Sequence, residues 1–269
     1  MYLADFHTHS CVSPDSAAPM LEMAAAAAAA GLDAICFTDH FEPVEPRTTV
    51  LRQHFDWNTM TEEYARTVAQ WDGPVALHLG VELGDAPVDI ARTEALLEDM
   101  PELDFILGST HMLSKKYNFQ DLAWLQEPDE KTCYEELEDY WATVLKMARW
   151  GRFTVMSHLT LPLRYMNGRR GFHVSMDGCG EEIEAVFRVL IEQGCGIEVN
   201  TNRGGEPLPN GRWLNLYRQM GGELITLGSD AHRCEDVGRG IREGQALLRE
   251  CGYTRFCTFE KQKPVWHAL

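Results

Sequence analysis

The sequence predicts an α/β protein in which parallel strands alternate strictly with helices. Three observations carry that reading: short apolar runs recur with room for a helix between each pair, most runs end in an ionisable residue, and no Gly/Ser-rich hinge interrupts the 269 residues. Strand-then-helix alternation makes neighbouring strands parallel, and at this length they close into a barrel or spread as an open doubly wound sheet. With 45% apolar residues the chain can bury a substantial core as one domain over 1–269.

The first strand begins at Tyr2 and delivers His7 and His9. Side chains two apart in an extended chain share a side, so both imidazoles can reach one ion. After a loop over 11–18, Met20 leads into the alanine run Ala24 to Ala30 and then Gly31. The best helix former followed by a C-terminal stop makes this a closely packed helix. Residues 34–37 read as the second strand, presenting Thr38, Asp39 and His40; residues 41–56 read as an excursion over the same face. A helix over 58–71 precedes a third strand over 74–81 that ends in Glu82. A helix over 91–100 precedes a fourth over 105–108 that ends in Ser109, Thr110 and His111. Residues 112–128 read as irregular and 129–150 as a helix. The fifth strand, 153–156, ends in Ser157 and His158. Loop 162–180 and a helix over 181–193 lead to the sixth strand, 196–199, which ends in Asn200. A helix over 213–221 and the seventh strand, 224–227, bring Ser229, Asp230, Ala231 and His232; a helix over 237–251 and a tail strand over 255–259 follow.

Lys and Arg total 24 against 41 acids, a net charge of -17, which argues against a nucleic-acid partner. The eight cysteines show no C-x-x-C spacing, so no thiolate metal site or redox motif is indicated and reduced thiols are expected. No basic n-region leads an apolar run at the N-terminus, and no run approaches about 18 apolar residues. The expectation is a soluble cytoplasmic protein with no membrane span. Nothing in the sequence assigns an oligomeric state.

Histidine, Asp or Glu stands at the end of six of the seven expected strands, and those ends face one mouth in either architecture. Singly, each has an ordinary explanation: a loop histidine, a turn acid at Asp39, an exposed acid at Glu82, a helix cap at Asp230. Their joint occurrence at His7, His9, His40, Glu82, His111, His158, Asp230 and His232 points to a metal centre. His78, inside the third strand, reads as structural; His54, His173 and His267 read as surface residues.

His7-Thr8-His9, Thr38-Asp39-His40, Gly80-Val81-Glu82, Ser109-Thr110-His111, Ser157-His158 and Gly228-Ser229-Asp230-Ala231-His232, in that order, resemble the motifs of the polymerase-and-histidinol-phosphatase (PHP) metalloenzymes. The stretches from Glu198 to Thr201 and from Ser229 to His232 look most like the histidinol-phosphate phosphatase branch. The resemblance implies a distorted TIM-like (β/α)7 barrel with a trinuclear metal centre at the C-terminal ends of its strands. It implies that His7, His9, Glu82 and Asp230 hold one ion, that a bridging Glu82 joins His111 and His158 on a second, and that Asp15, His40 and His232 hold a third. Family members often carry histidine where Asp15 stands. Arg164 and Arg203 match loop arginines that grip phosphate, with Arg169, Arg170 and Arg212 as competitors.

Imidazoles with a few carboxylates and no thiolate suit two or three zinc, manganese or iron ions rather than calcium. Cations sharing Glu82 would lower the pKa of a bridging water and aim hydroxide at phosphorus. Asp230 or His232 is expected to protonate the leaving group, while Asp39 orients a ligating imidazole. The expected activity is hydrolysis of a small phosphomonoester, L-histidinol phosphate in histidine biosynthesis. Alternatives are another small phosphoester or nucleotide, a phosphotyrosine protein, or a non-catalytic metal-binding module.

Overall fold

Seven parallel strands wrap almost into a closed barrel in the computed structural model, which describes residues 1–45, 48 and 50–269. In chain order the elements are β1 (Ala4–Thr8), α1 (Met20–Ala29), β2 (Ala34–Phe37), β3 (His40–Phe41), α2 (Trp57–Gln70), β4 (Ala76–Gly84), α3 (Ile90–Leu96), β5 (Phe105–Ser109), α4 (Glu130–Trp150), β6 (Val155–Met156), α5 (Gly180–Gln193), β7 (Gly196–Asn200), α6 (Gly211–Gln219), β8 (Ile225–Gly228), α7 (Ile241–Glu250), β9 (Arg255–Glu260) and β10 (Lys263–Ala268). The strands run β1-β2-β4-β5-β6-β7-β8, and short β3 pairs with the far part of β4. No regular ladder joins β8 to β1. A bridge between Thr8 and Ala231 does, with Asp230 N donating to His7 O at 2.9 Å and His9 N to Ala231 O at 2.8 Å. The barrel is therefore pinned shut at the chain ends that carry His7, His9 and Asp230.

Local sequence explains the elements. Along α1, Met20, Met23, Ala24 and Ala27 are buried at helical spacing, and their small side chains let the helix lie close on the barrel. Helices α2, α3 and α4 start on Asp56, Asp89 and Asp129, each carboxylate accepting a backbone N–H of the first turn. The strands are buried along nearly their whole length, as expected for parallel strands under a helical layer.

Four expectations need correction. Glu82 lies inside β4, which runs on to Gly84, because β5 pairs with it to that point and β3 adds a partner on the other side as far as Leu83. The loop over 162–180 contains a π-helix, Arg164–Arg169. The helix expected from Val237 begins at Ile241, after Gly238 and Gly240 take positive φ. The tail is a hairpin, β9–β10. In it Phe259 meets Phe105 at 5.2 Å between ring centroids, and His267 stacks on Tyr2 at 3.8 Å, so His267 is not a plain surface residue. Both partners stand where strands begin, so the hairpin covers the end of the barrel opposite the mouth. Among the described residues no helix is long and apolar enough to cross a membrane.

Candidate metal centre

Glu82 is 1% exposed and stands at the middle of the mouth with imidazoles on both of its oxygens. Its Oε1 is 2.8 Å from His158 Nε2 and 3.2 Å from His111 Nε2. Its Oε2 is 3.0 Å from His40 Nδ1 and 3.4 Å from Nε2 of both His7 and His9. Asp230 completes this side, with Oδ1 at 3.5 Å from His9 Nε2 and 3.8 Å from His7 Nε2. At the rim, Asp15 Oδ2 lies 3.1 Å from His232 Nε2 and 3.5 Å from His40 Nε2. The fold thus gathers all nine expected ligand side chains in one cavity, drawn from six strands, β1, β3, β4, β5, β6 and β8, and the loops after them.

Hydrogen bonding decides which nitrogen of each ring faces inward. Asp39 accepts from Ser10 N, Ser10 Oγ, Ser13 N and Ser13 Oγ, at 2.6 to 3.1 Å. Ser13 spends its proton on Asp39, so at 3.2 Å it can only accept from His9 Nδ1. Asp39 therefore orients His9 through a serine. Glu198 Oε1 accepts from His7 Nδ1 at 2.7 Å, and the Asp230 carbonyl accepts from His232 Nδ1 at 3.0 Å. In its neutral form each of the three rings therefore turns an Nε2 lone pair inward. The Nε2 atoms of His7 and His9 consequently face each other at 3.1 Å, lone pair against lone pair. Glu82 Oε2, fully buried, has no hydrogen-bond partner among the described residues. Electron pairs without protons, converging in a buried space, fit divalent cations. Among the described residues five trios bring their ligand atoms within 4.8 Å of one another: His7/His9/Asp230, His7/Glu82/His158, His40/Glu82/His111, His9/His40/His232 and, on the far side of His111, Glu42/Asp85/His111.

Electrostatics divide the donor set: burial alone would lower His7, His40 and His111, but the surrounding carboxylates, Glu82 among them, hold these imidazoles well above their usual value, so a bound cation would take the place of a proton there. Burial, reinforced by His232 and His40, holds the His9 imidazole well below its usual value and hence neutral. Burial alone would raise the Asp230 carboxyl, but the Arg164 guanidinium and the neighbouring imidazoles keep it well below the carboxylate range.

Two arginines expected at the mouth line a cleft of about 1190 Å³ that opens over Glu82. Arg164 donates from Nε to Asn202 Oδ1 at 2.8 Å, from Nη1 to Asp230 Oδ2 at 2.5 Å and from Nη2 to Asn200 Oδ1 at 3.1 Å. A guanidinium has five N–H groups; these three bonds and a further hydrogen bond to Tyr165 leave one for a ligand. Arg203 has φ +54, a left-handed conformation costly for a side chain, and its N–H bonds Ser229 O at 3.2 Å. Asp230 is likewise at φ +61. Arg169 also lines the cleft but donates to Ala123 O; Arg170 pairs with Glu127, and Arg212 with Asp177 outside the cleft.

Sequence reasoning singled out Asp39 but missed two other acids that hold the candidate ligands, Asp5 and Glu198. Asp5, inside β1, accepts from Ser229 N and Oγ and from Gly238 N, fixing the turn that carries Asp230. Glu198 also accepts from His158 N at 2.8 Å, joining two ligand-bearing strands. The one signal for each was an acid within an apolar strand. Gly228 leaves the space they need: a Cβ there would stand 2.3 Å from both Glu198 Oε1 and His7 Cβ.

Residues 5–202 match the family described as PHP domain. The chain is 27% identical over 254 residues to a probable histidinol-phosphatase of Thermotoga maritima, covering 93% of each chain. It is 24% identical to the histidinol-phosphatase of Lactococcus lactis, covering 96% of this chain and 95% of that one. The crystal structure of histidinol phosphate phosphatase from Lactococcus lactis, complexed with zinc, L-histidinol and phosphate, shares the fold with a TM-score of 0.80 at 22% identity, over 98% of both chains.

Proposed function

Because this chain belongs to the PHP domain family, we propose that it is a metal-dependent phosphomonoesterase whose substrate is L-histidinol phosphate, released as L-histidinol and inorganic phosphate. The observation that carries the reading is Glu82 held between the imidazoles of His158 and His111 on one oxygen and those of His40, His7 and His9 on the other. Full-length similarity to histidinol-phosphatases supports the choice of substrate. It also supports reading residues 1–269 as a single unit.

In this reading His7, His9, Glu82 and Asp230 hold one ion, Glu82, His111 and His158 a second, and Asp15, His40 and His232 a third. Divalent zinc, manganese or iron bound there supplies an activated water and neutralises charge on the phosphoryl oxygens. Arg164, its guanidinium fixed by Asp230, Asn200 and Asn202, offers its remaining N–H group to a phosphate oxygen without reorganising. Arg203, on the cleft wall, is the second phosphate contact. Asp230, pinned by Arg164, and His232, whose Nδ1 is spent on the Asp230 carbonyl, both serve as ligands in this reading, so neither holds a spare proton for the departing alkoxide while its ion is bound.

A second reading has one observation in its favour. The cleft, about 1190 Å³, exceeds the roughly 300–1,000 Å³ usual for small-ligand sites and has room for a phosphotyrosine side chain with its flanking residues. The deciding experiment is phosphate release from L-histidinol phosphate, other small phosphoesters, nucleotides and a phosphotyrosine peptide, with ion content measured on the same sample. Highest kcat/KM for L-histidinol phosphate sustains the first reading; higher values for the peptide replace it with the second.

A further inference from the structure

Glu42 follows β3 by one residue and lies on the cleft wall. Its Oε1 is 3.1 Å from Nδ1 of His111. A carboxylate can only accept, so His111 carries its proton on Nδ1 and turns Nε2 toward Glu82 Oε1 at 3.2 Å and His158 Nε2 at 3.4 Å. The neighbouring acid does a different job. Asp85 Oδ1 accepts from the backbone N–H of His111 and Met112 at 2.9 and 3.0 Å, while its Oδ2 is 4.0 Å from His111 Nδ1, too far to bond. Asp85 holds the main chain; Glu42 alone acts on the ring.

The contact depends on Gly84. A Cβ there would stand 3.1 Å from both Glu42 Cγ and His111 Nδ1, tighter than ordinary packing allows. Gly84 is not among the glycines at positive φ, so its backbone does not call for glycine. The space between Glu42 and His111 does.

We propose that Glu42 is a positioning residue that sets the tautomer and aim of His111, and that Gly84 lacks a side chain so that it can. Loss of either selectively weakens the ion held by Glu82, His111 and His158. This rests on the metal-centre reading above.

The test is Zn²⁺ binding, by titration and elemental analysis of dialysed protein, on wild type and on Glu42→Ala, Glu42→Gln and Gly84→Ala, with Glu45→Gln as control because Glu45 pairs with Arg52. Glu42→Ala is expected to weaken one equivalent of zinc by about 10- to 100-fold and leave the others in place. Glu42→Gln, whose amide oxygen still accepts from Nδ1, recovers part of the loss. Gly84→Ala reproduces the loss with no charge removed. Should Glu42→Ala not fold, Gln and Gly84→Ala decide the matter. Wild-type affinity at every site in those two variants overturns the proposal, as does equal weakening of all ions. Failure of wild type to bind zinc, manganese or iron would instead sink the metal-centre reading itself.

Discussion

Glu198 on β7 accepts a 2.7 Å hydrogen bond from Nδ1 of His7 on β1, across 191 residues of chain. Both side chains are essentially inaccessible, 1% and 0% exposed. Removing the Glu198 acceptor leaves a buried imidazole N–H unpaired, at a cost of about 1–3 kcal/mol. Glu198→Ala should therefore lower both the unfolding midpoint in urea and the ion content, while Glu198→Gln, which keeps an acceptor, should lose much less of either.

Glu82 is the acid that most of the imidazoles share. Glu82→Gln should cut phosphate release by a factor of about 100 or more while the circular dichroism spectrum stays that of the wild type. Dialysis against a chelator should abolish turnover of wild type, and added Zn²⁺, Mn²⁺ or Fe²⁺ should restore it. Retained turnover in thoroughly stripped protein would reject the centre.

Arg164 makes a directional prediction that a plain positive charge does not. Arg164→Ala should lower kcat/KM roughly tenfold or more with ion content unchanged, and Arg164→Lys should recover little, because an ammonium cannot serve Asp230, Asn200, Asn202 and phosphate together. Equal kinetics for wild type and Arg164→Ala would remove it from the phosphate site.

Glu136, on the buried face of α4, supplies a pH dependence unconnected with the centre. Burial, with the charges of Glu127 and Glu135, pushes its carboxyl from 4.5 up to about 7. The folded protein keeps that proton where the unfolded chain has released it, so between those two values this residue makes stability fall as pH rises. Relative to wild type, Glu136→Gln should gain stability across that window and show no relative gain below it. Urea midpoints at about pH 4 and about pH 7.5 check this, and an unchanged difference between the two would contradict it.

Most of the ligand set was legible because a parallel α/β topology fixes where strand ends go. Once the alternation is read, His40, His111, His158 and Asp230 must share a mouth, whatever the exact strand lengths. Glu82 shows the limit: it sits inside β4, and pairing with β5 on one side and β3 on the other, both contacts between separate stretches of chain, extends the strand past it. Asp5 and Glu198 were illegible for a related reason. An acid in an apolar run looks like an interruption until its partners, Ser229 and His7, arrive from far along the chain. The π-helix at Arg164 and the closing hairpin β9–β10 likewise follow from tertiary packing rather than from local periodicity.

The seam between β1 and β8 has a consequence for biosynthesis. His7 and His9 are translated long before Asp230 and Ala231, and the backbone bonds that join the two pairs can form only once β8 has been made. A nascent or prematurely terminated chain ending before β8 carries the histidines without the seam. In the proposed centre such a chain would lack Asp230 and His232, so full loading would have to wait for β8 and the loop after it.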